Sequence, residues 1–214
     1  MKTVFLDIET ITNPNLSPEL FDMLVSNIKV GNIKQEHLIA EKQQEAIAKF
    51  GLDSMAGVIC CVGTAIDDGP VTVGIGPDEY SHLTQVVEAM DGPEAPRLIT
   101  FSGSKFDAQY LFIRALALSH QPSNFWKHFY GRYLAKYGSL EVDLRTVLTG
   151  GDKYKTGRLE HWCRVMGIAV PDYAFTGADV QPAWEEGRYE DIANHCRSDV
   201  SLLQQLYLKM EDYI

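Results

Sequence analysis

Two acids close the first apolar run of the chain, Asp7 and Glu9 in Val4-Phe5-Leu6-Asp7-Ile8-Glu9-Thr10. Side chains alternate across a strand, so both carboxylates leave on one face, roughly 6 to 7 Å apart along the chain, while Leu6 and Ile8 pack on the other. Two anions at the end of an apolar strand are costly unless a cation or strong donors compensate, and a hard divalent metal ion is the simplest compensation. The same pair also fits a strand end at which both acids reach water. A third acid, Asp107, lies in the first turn of a helix that follows a strand, Arg97-Leu98-Ile99-Thr100-Phe101, broken at Ser102-Gly103-Ser104. Open α/β sheets put their ligands at such strand ends, although the helix dipole alone favours an acid there. A fourth, Asp199, falls inside the apolar stripe of the last helix (Ile192, Cys196, Val200, Leu203, Tyr207, Met210), one turn beyond His195. An acid on a buried face needs a partner, and these apolar neighbours argue against a mere i,i+4 surface pair worth a few tenths of a kcal/mol. The densest positive run, Lys153, Lys155 and Arg158 after Gly150-Gly151, is a candidate phosphate contact.

The elements that must position these groups read as an α/β alternation. The first strand is followed, from about residue 13 to 56, by an insertion of helical period. Asn13-Pro14 and Ser17-Pro18 open it, and Leu38, Ile39, Ala46, Ile47 and Phe50 among charged neighbours predict an amphipathic helix ending at Gly51. Adjacent antiparallel strands need only a short turn, so this insertion is expected to cover the sheet edge or the mouth of the site. Residues 58–66 and 71–75 predict a hairpin turning at Asp67-Asp68-Gly69-Pro70. A helix carrying Leu83, Val86, Val87 and Met90 follows, then the strand ending at Phe101 and the helix with Phe106, Tyr110, Leu111, Ile113, Leu116 and Ala117. Residues 120–140 interleave Trp126, Phe129, Tyr130, Tyr133 and Tyr137 with Lys127, His128, Arg132 and Lys136. That mixture suits a single nucleic acid strand, and it suits equally a helix that packs its aromatics inward. A short fifth strand at 140–144, a loop, a helix at 158–167, a loop from Pro171 to Pro182 and a final helix at 189–213 complete the chain.

At 214 residues and 45% apolar content the chain suits one domain spanning 1–214. No apolar run is long enough to span a bilayer and Lys2 leads straight into a strand, so the expected setting is the cytoplasm, without a membrane partner. Cys60, Cys61, Cys163 and Cys196 lack CxxC spacing, and buried free thiols are expected. A net charge of -10 argues against a protein that coats nucleic acid nonspecifically, but not against an enzyme that holds one end of it through metals and a local basic patch.

The order and context of the acids resemble the DEDD superfamily of 3'-5' exonucleases, and within it the proofreading domain of family B DNA polymerases with its stand-alone bacterial and phage relatives. Phe5-Leu6-Asp7-Ile8-Glu9-Thr10 is similar to the first motif, Gly103-Ser104-Lys105-Phe106-Asp107 to the second, and Cys196-Arg197-Ser198-Asp199-Val200 to the third. The resemblance implies a ribonuclease H-like mixed five-stranded sheet flanked by helices, with the helical insertion after strand one. It implies hydrolysis at the 3' end of DNA, single-stranded as expected here, by two Mg²⁺ or Mn²⁺ ions, releasing nucleoside 5'-monophosphates. Asp7 would bridge the ions, Glu9 and Asp199 would complete one shell, and Asp107 would hold the other ion largely through water. Thr10, Ser102 and Phe106 would meet the substrate. Two positions depart from the pattern: Ser102 stands where relatives usually carry Asn, and His195 stands where this branch commonly carries Tyr. The branch with a histidine places it one residue earlier, at Asn194 here. His195 would take the tyrosine's role as base only if the helix sits slightly closer, because its reach is shorter. An exoribonuclease on the same scaffold and a catalytically silent binding module are the alternatives.

Overall fold

In the computed structural model, which describes residues 1–135, 139–152, 154–155, 157–172 and 174–214, the chain begins with β1 (Thr3–Thr12). The insertion follows as α1 (Pro18–Ser26), capped by Ser17 Oγ accepting from the Leu20 N–H, then α2 (Glu36–Ile47) and a 3-10 turn (Phe50–Leu52). Next come β2 (Gly57–Ile66), β3 (Thr72–Ile75), α3 (Glu79–Met90), β4 (Arg97–Thr100) and α4 (Asp107–Ala117). The second half holds α5 (Ser123–Phe129) running into a π turn (Tyr130–Leu134), β5 (Glu141–Asp143), α6 (Leu144–Thr149), α7 (Leu159–Val165), α8 (Val180–Glu185) and α9 (Tyr189–Met210).

The five strands form one mixed sheet in the order β3-β2-β1-β4-β5. The hairpin pairs antiparallel with β1, while β4 and β5 run parallel to it. Alternation along β1 sorts its side chains. Val4, Leu6 and Ile8 enter the core formed with Leu83 and Val86 of α3, Leu111 of α4, and Trp126, Phe129 and Tyr133. Phe5 enters the opposite core, with Cys163 of α7 and Val200, Leu203 and Leu206 of α9. Asp7 and Glu9 continue the Phe5 face, so the sheet aims both acids at α9. The pairing of β1 with β2 slips between Glu9 and Thr10, where Cys60 is the extra residue; such bulges re-aim side chains and recur beside active sites. Gly63 of β2 lets α9 lie close on the sheet, since a Cβ there would stand 2.8 Å from both Cys196 Sγ and Val200 Cγ2.

Several expectations change in the structure. Of the aromatics of residues 123–134, Trp126, Phe129 and Tyr133 turn inward, at most 3% exposed, and are core, while Tyr130 stays exposed; Lys136 and Tyr137 lie outside the described residues. The insertion helices bury no residue in either α1 or α2: their apolar positions are only partly covered, and the following turn, at Phe50 and Gly51, is what reaches the core. That turn is fastened: Tyr110 Oη donates to the Gly51 carbonyl at 2.9 Å, and Arg114, paired in the core with Glu79 at 2.8 Å, also donates to the Ser54 carbonyl. Glu79 further accepts the Ile59 N–H. The loop expected after β5 holds α6, and α8 begins within the one expected from Pro171 to Pro182; both helices are only six residues long. All four cysteines are buried free thiols. Among the described residues, no helix is long and apolar enough to cross a membrane.

Candidate active site

A cleft of about 790 Å³ opens where β1, the end of β4 and α9 meet, and Asp7, Glu9, Asp107, His195 and Asp199 all line it. Each acid arrives by a different local device. β1 alternation brings Asp7 and Glu9. The turn at Ser102-Gly103-Ser104 starts α4 so that Asp107 is its first residue, and Asp107 Oδ1 accepts the Ile8 N–H at 3.1 Å, which ties α4 to the middle of β1. Helical spacing on α9 puts His195 and Asp199 on one side, with Nε2 of His195 3.4 Å from Glu9 Oε1 and 3.9 Å from Asp199 Oδ2. The imidazole therefore faces the acids, and its ring also packs on Phe175 at 5.3 Å between centroids.

Burial and mutual repulsion dominate the electrostatics. Asp7 is held well above the ordinary carboxylate range, first by burial and then by Glu9, Asp107 and Asp199. Glu9 is raised well above its range by burial, with Asp199 the next cause. Burial pushes Asp107 up to about 7 against the N–H bonds it accepts, and pushes Asp199 up to about 7 with help from Glu160 and Asp107. His195 moves down, because burial disfavours the imidazolium more than Glu160 and Asp179 favour it. Its approaches to Glu9 and Asp199 are thus contacts of a neutral ring rather than ion pairs.

A divalent metal suits this chemistry. Asp7 Oδ2 is buried without a hydrogen-bond partner, and a buried carboxylate oxygen left alone is unfavourable unless something positive meets it. The acid donors are all oxygen, the set preferred by Mg²⁺ and Mn²⁺. Among the described residues, no three His, Cys, Asp or Glu side chains already stand as a closed ligand group. The residues fit an ion by composition, burial and shared cleft.

Thr10, Ser102, Phe106 and Arg158 also line the cleft, whereas Lys155 is exposed outside its lining and Lys153 lies outside the described residues. The sequence pattern did not single out Arg145, Glu160 and Gln181, which line the cleft, nor Lys49 and Leu52, which bring the insertion to its mouth. Arg145 follows a helix cap, a readable signal for α6. Gln181, which accepts the Thr12 N–H, carried no signal, since α8 is too short to show a period.

A family model described as "Predicted 3'-5' exonuclease related to the exonuclease domain of PolB" matches residues 58–213, so Asp107, His195 and Asp199 fall inside the match and β1 outside it. An uncharacterized protein of Methanocaldococcus jannaschii, MJ0365, is 28% identical over 175 residues, covering 78% of this chain and 93% of that protein. Among solved structures, the family B DNA polymerase of the hyperthermophilic archaeon Pyrobaculum calidifontis matches with a TM-score of 0.59 at 15% identity, over 98% of this chain and 24% of that one. That likeness is one of fold, a ribonuclease H-like mixed sheet, and the chain spans about a quarter of the polymerase's length.

Proposed function

We propose that this chain, which belongs to the family of predicted 3'-5' exonucleases related to the exonuclease domain of PolB, acts over residues 1–214 as a cytoplasmic exonuclease that removes nucleoside 5'-monophosphates from the 3' end of single-stranded DNA. The observation that carries the reading is the meeting of four acids from three separate elements in one cleft, Glu9 and Asp107 buried and Asp7 and Asp199 half-buried, with Asp7 Oδ2 left unpartnered. Asp7, Glu9, Asp107 and Asp199 are the residues that would hold two Mg²⁺ or Mn²⁺ ions. Bound there, the ions supply a water ionised at neutral pH and charge stabilisation at the leaving 3' oxygen. The chain's own residues do the rest. His195, neutral in its buried setting, accepts the proton of the attacking water at Nε2. Arg145 and Arg158 offset the phosphate charge along the cleft. Phe106 and Leu52 give the terminal bases apolar contact, and Thr10 and Ser102 meet the sugar and phosphate.

The test is direct. Purified protein with MgCl₂ or MnCl₂ is given single-stranded DNA, duplex DNA and RNA, each labelled at the 5' or the 3' end. A ladder shortening from the 3' end with mononucleotide product, abolished by Asp7→Asn, is the expected result. Faster cleavage of RNA would move the substrate class. No cleavage of any strand by a protein that binds the oligonucleotide would leave a binding module in place of the enzyme.

A further inference from the structure

Asp143, at the end of β5, is the opposite of Asp7: a buried carboxylate with every lone pair taken. Its Oδ1 accepts the N–H groups of Ser102 at 2.8 Å, Arg145 at 3.0 Å and Thr146 at 3.2 Å. Its Oδ2 accepts the hydroxyls of Thr146 at 2.8 Å and Ser104 at 3.3 Å. An ionised carboxylate offers about four lone-pair sites, so five donors leave nothing for a metal ion or for water. What those donors share is position. Arg145 and Thr146 begin α6, whereas Ser102 and Ser104 form the turn between β4 and Asp107, some forty residues away in sequence.

That turn would not hold its shape unaided. Ser102 sits at φ 73, the left-handed region that a residue with a Cβ adopts at a cost of about 1 kcal/mol. Its carbonyl and that of Gly103 accept the N–H groups of Phe106 and Ala108, so the conformation at 102 and 103 sets where α4, and hence Asp107, begins. A second carboxylate two residues back on the same strand acts on the same turn: Glu141 accepts the hydroxyl of Thr100, which in turn accepts the Gly103 N–H.

We propose that Asp143 is a positioning residue of the metal site, acting through the Ser102–Ser104 turn to place Asp107, with no contact of its own to metal or substrate. The proposal rests on the exonuclease reading for its metal. Outer partners of this kind typically change metal affinity or activity 10- to 100-fold when removed.

Asp143→Ser is the informative variant, because serine still caps α6 but is too short to reach the Ser102 N–H. Asp143→Asn keeps the Oδ1 acceptor and serves as the conservative rescue. Leu83→Ala, in the core between α3 and the sheet, lowers stability without removing any hydrogen bond of the turn. Calorimetric titration of MnCl₂ into metal-free protein is the primary readout, with turnover against Mn²⁺ concentration beside it. Asp143→Ser is expected to raise the Mn²⁺ Kd by about 10-fold or more, Asp143→Asn by less than about threefold, and Leu83→Ala not at all. If the serine variant does not fold, the isosteric Thr100→Val loosens the turn from its other side and is expected to weaken Mn²⁺ binding likewise. An unchanged Kd in the folded serine variant, or an equal loss in Leu83→Ala, overturns the role of Asp143 and leaves the exonuclease reading standing. Absence of Mn²⁺ binding in the parent overturns both.

Discussion

Replacing Asp107 by Asn should stabilise the metal-free protein while abolishing its activity. Burial carries Asp107 from the ordinary value of 3.8 up to about 7, which corresponds to a penalty of at most about 4 kcal/mol for keeping it ionised in the folded state. The four acids share their protons, so that figure is a ceiling. An amide in the same place still accepts the Ile8 N–H through Oδ1, but it buries an NH₂ group at a cost of about 1–3 kcal/mol. The net gain at pH 8 is about 1–3 kcal/mol, or roughly 2–10 °C in melting temperature for a chain of this size. The sign with pH follows from the direction of the shift. A group whose folded pKa is raised gives stability that is fully present below its unfolded value, near 4, and is lost as pH rises through about 7. Asp199 moves the same way, to about 7, so the metal-free parent should melt progressively lower from pH 5 to pH 8 and the variant with a shallower slope. Differential scanning calorimetry in EDTA across that range measures both quantities. MnCl₂ should then raise the parent's melting temperature far more than the variant's. An Asn variant that melts at or below the parent at pH 8, with the same slope, would refute the reasoning.

Other changes have equally definite outcomes. His195→Ala should lower turnover by about 10²-fold or more with Mn²⁺ affinity little changed, as expected for loss of a general base, and His195→Tyr should keep part of the activity; near-normal turnover in the alanine variant would reduce His195 to a hydrogen-bond partner of Glu9. Arg114→Met leaves Glu79 buried and unpaired and should cost about 3–5 kcal/mol in urea unfolding. Replacing residues 18–47 with a short polar linker should leave cooperative unfolding intact, since neither insertion helix buries a residue, whereas Leu52→Ala should raise KM for single-stranded DNA more than it lowers kcat. Equal KM values in the presence and absence of Leu52 would mean that the mouth of the cleft plays no part in binding.

The sequence is most legible where a period runs long. β1 alternates through ten residues and α9 keeps its stripe through twenty-two, so spacing alone assigns their acids to faces. α6 and α8, at six residues each, are shorter than two helical turns and present no period. The insertion misleads in the other direction: Leu38, Ile39, Ala46 and Ile47 have helical spacing, yet a helix with solvent on most sides buries none of them. Aromatic and basic residues between 123 and 134 satisfied two patterns at once, and packing against Phe112 and its neighbours drew Trp126, Phe129 and Tyr133 into the core. Partners distant along the chain were invisible altogether. Glu79 and Arg114 meet because α3 and α4 pack side by side, and Asp143 and Ser102 because β4 and β5 are neighbours in the sheet.

Gly63 has the effect of a missing shim. The reach of His195 is shorter than a tyrosine's, and α9 lies close on the sheet because no side chain stands beneath Cys196 and Val200, on a strand that does not line the cleft. The height of α9 above the sheet and the length of the side chain at 195 are therefore two settings of a single adjustment. An alanine at 63 would jack the helix outward, withdrawing His195 and Asp199 together from Asp7 while leaving the chemistry of every group intact. A longer side chain at 195 would press toward that same lift, so the residue at 195 and the glycine at 63 act on one distance.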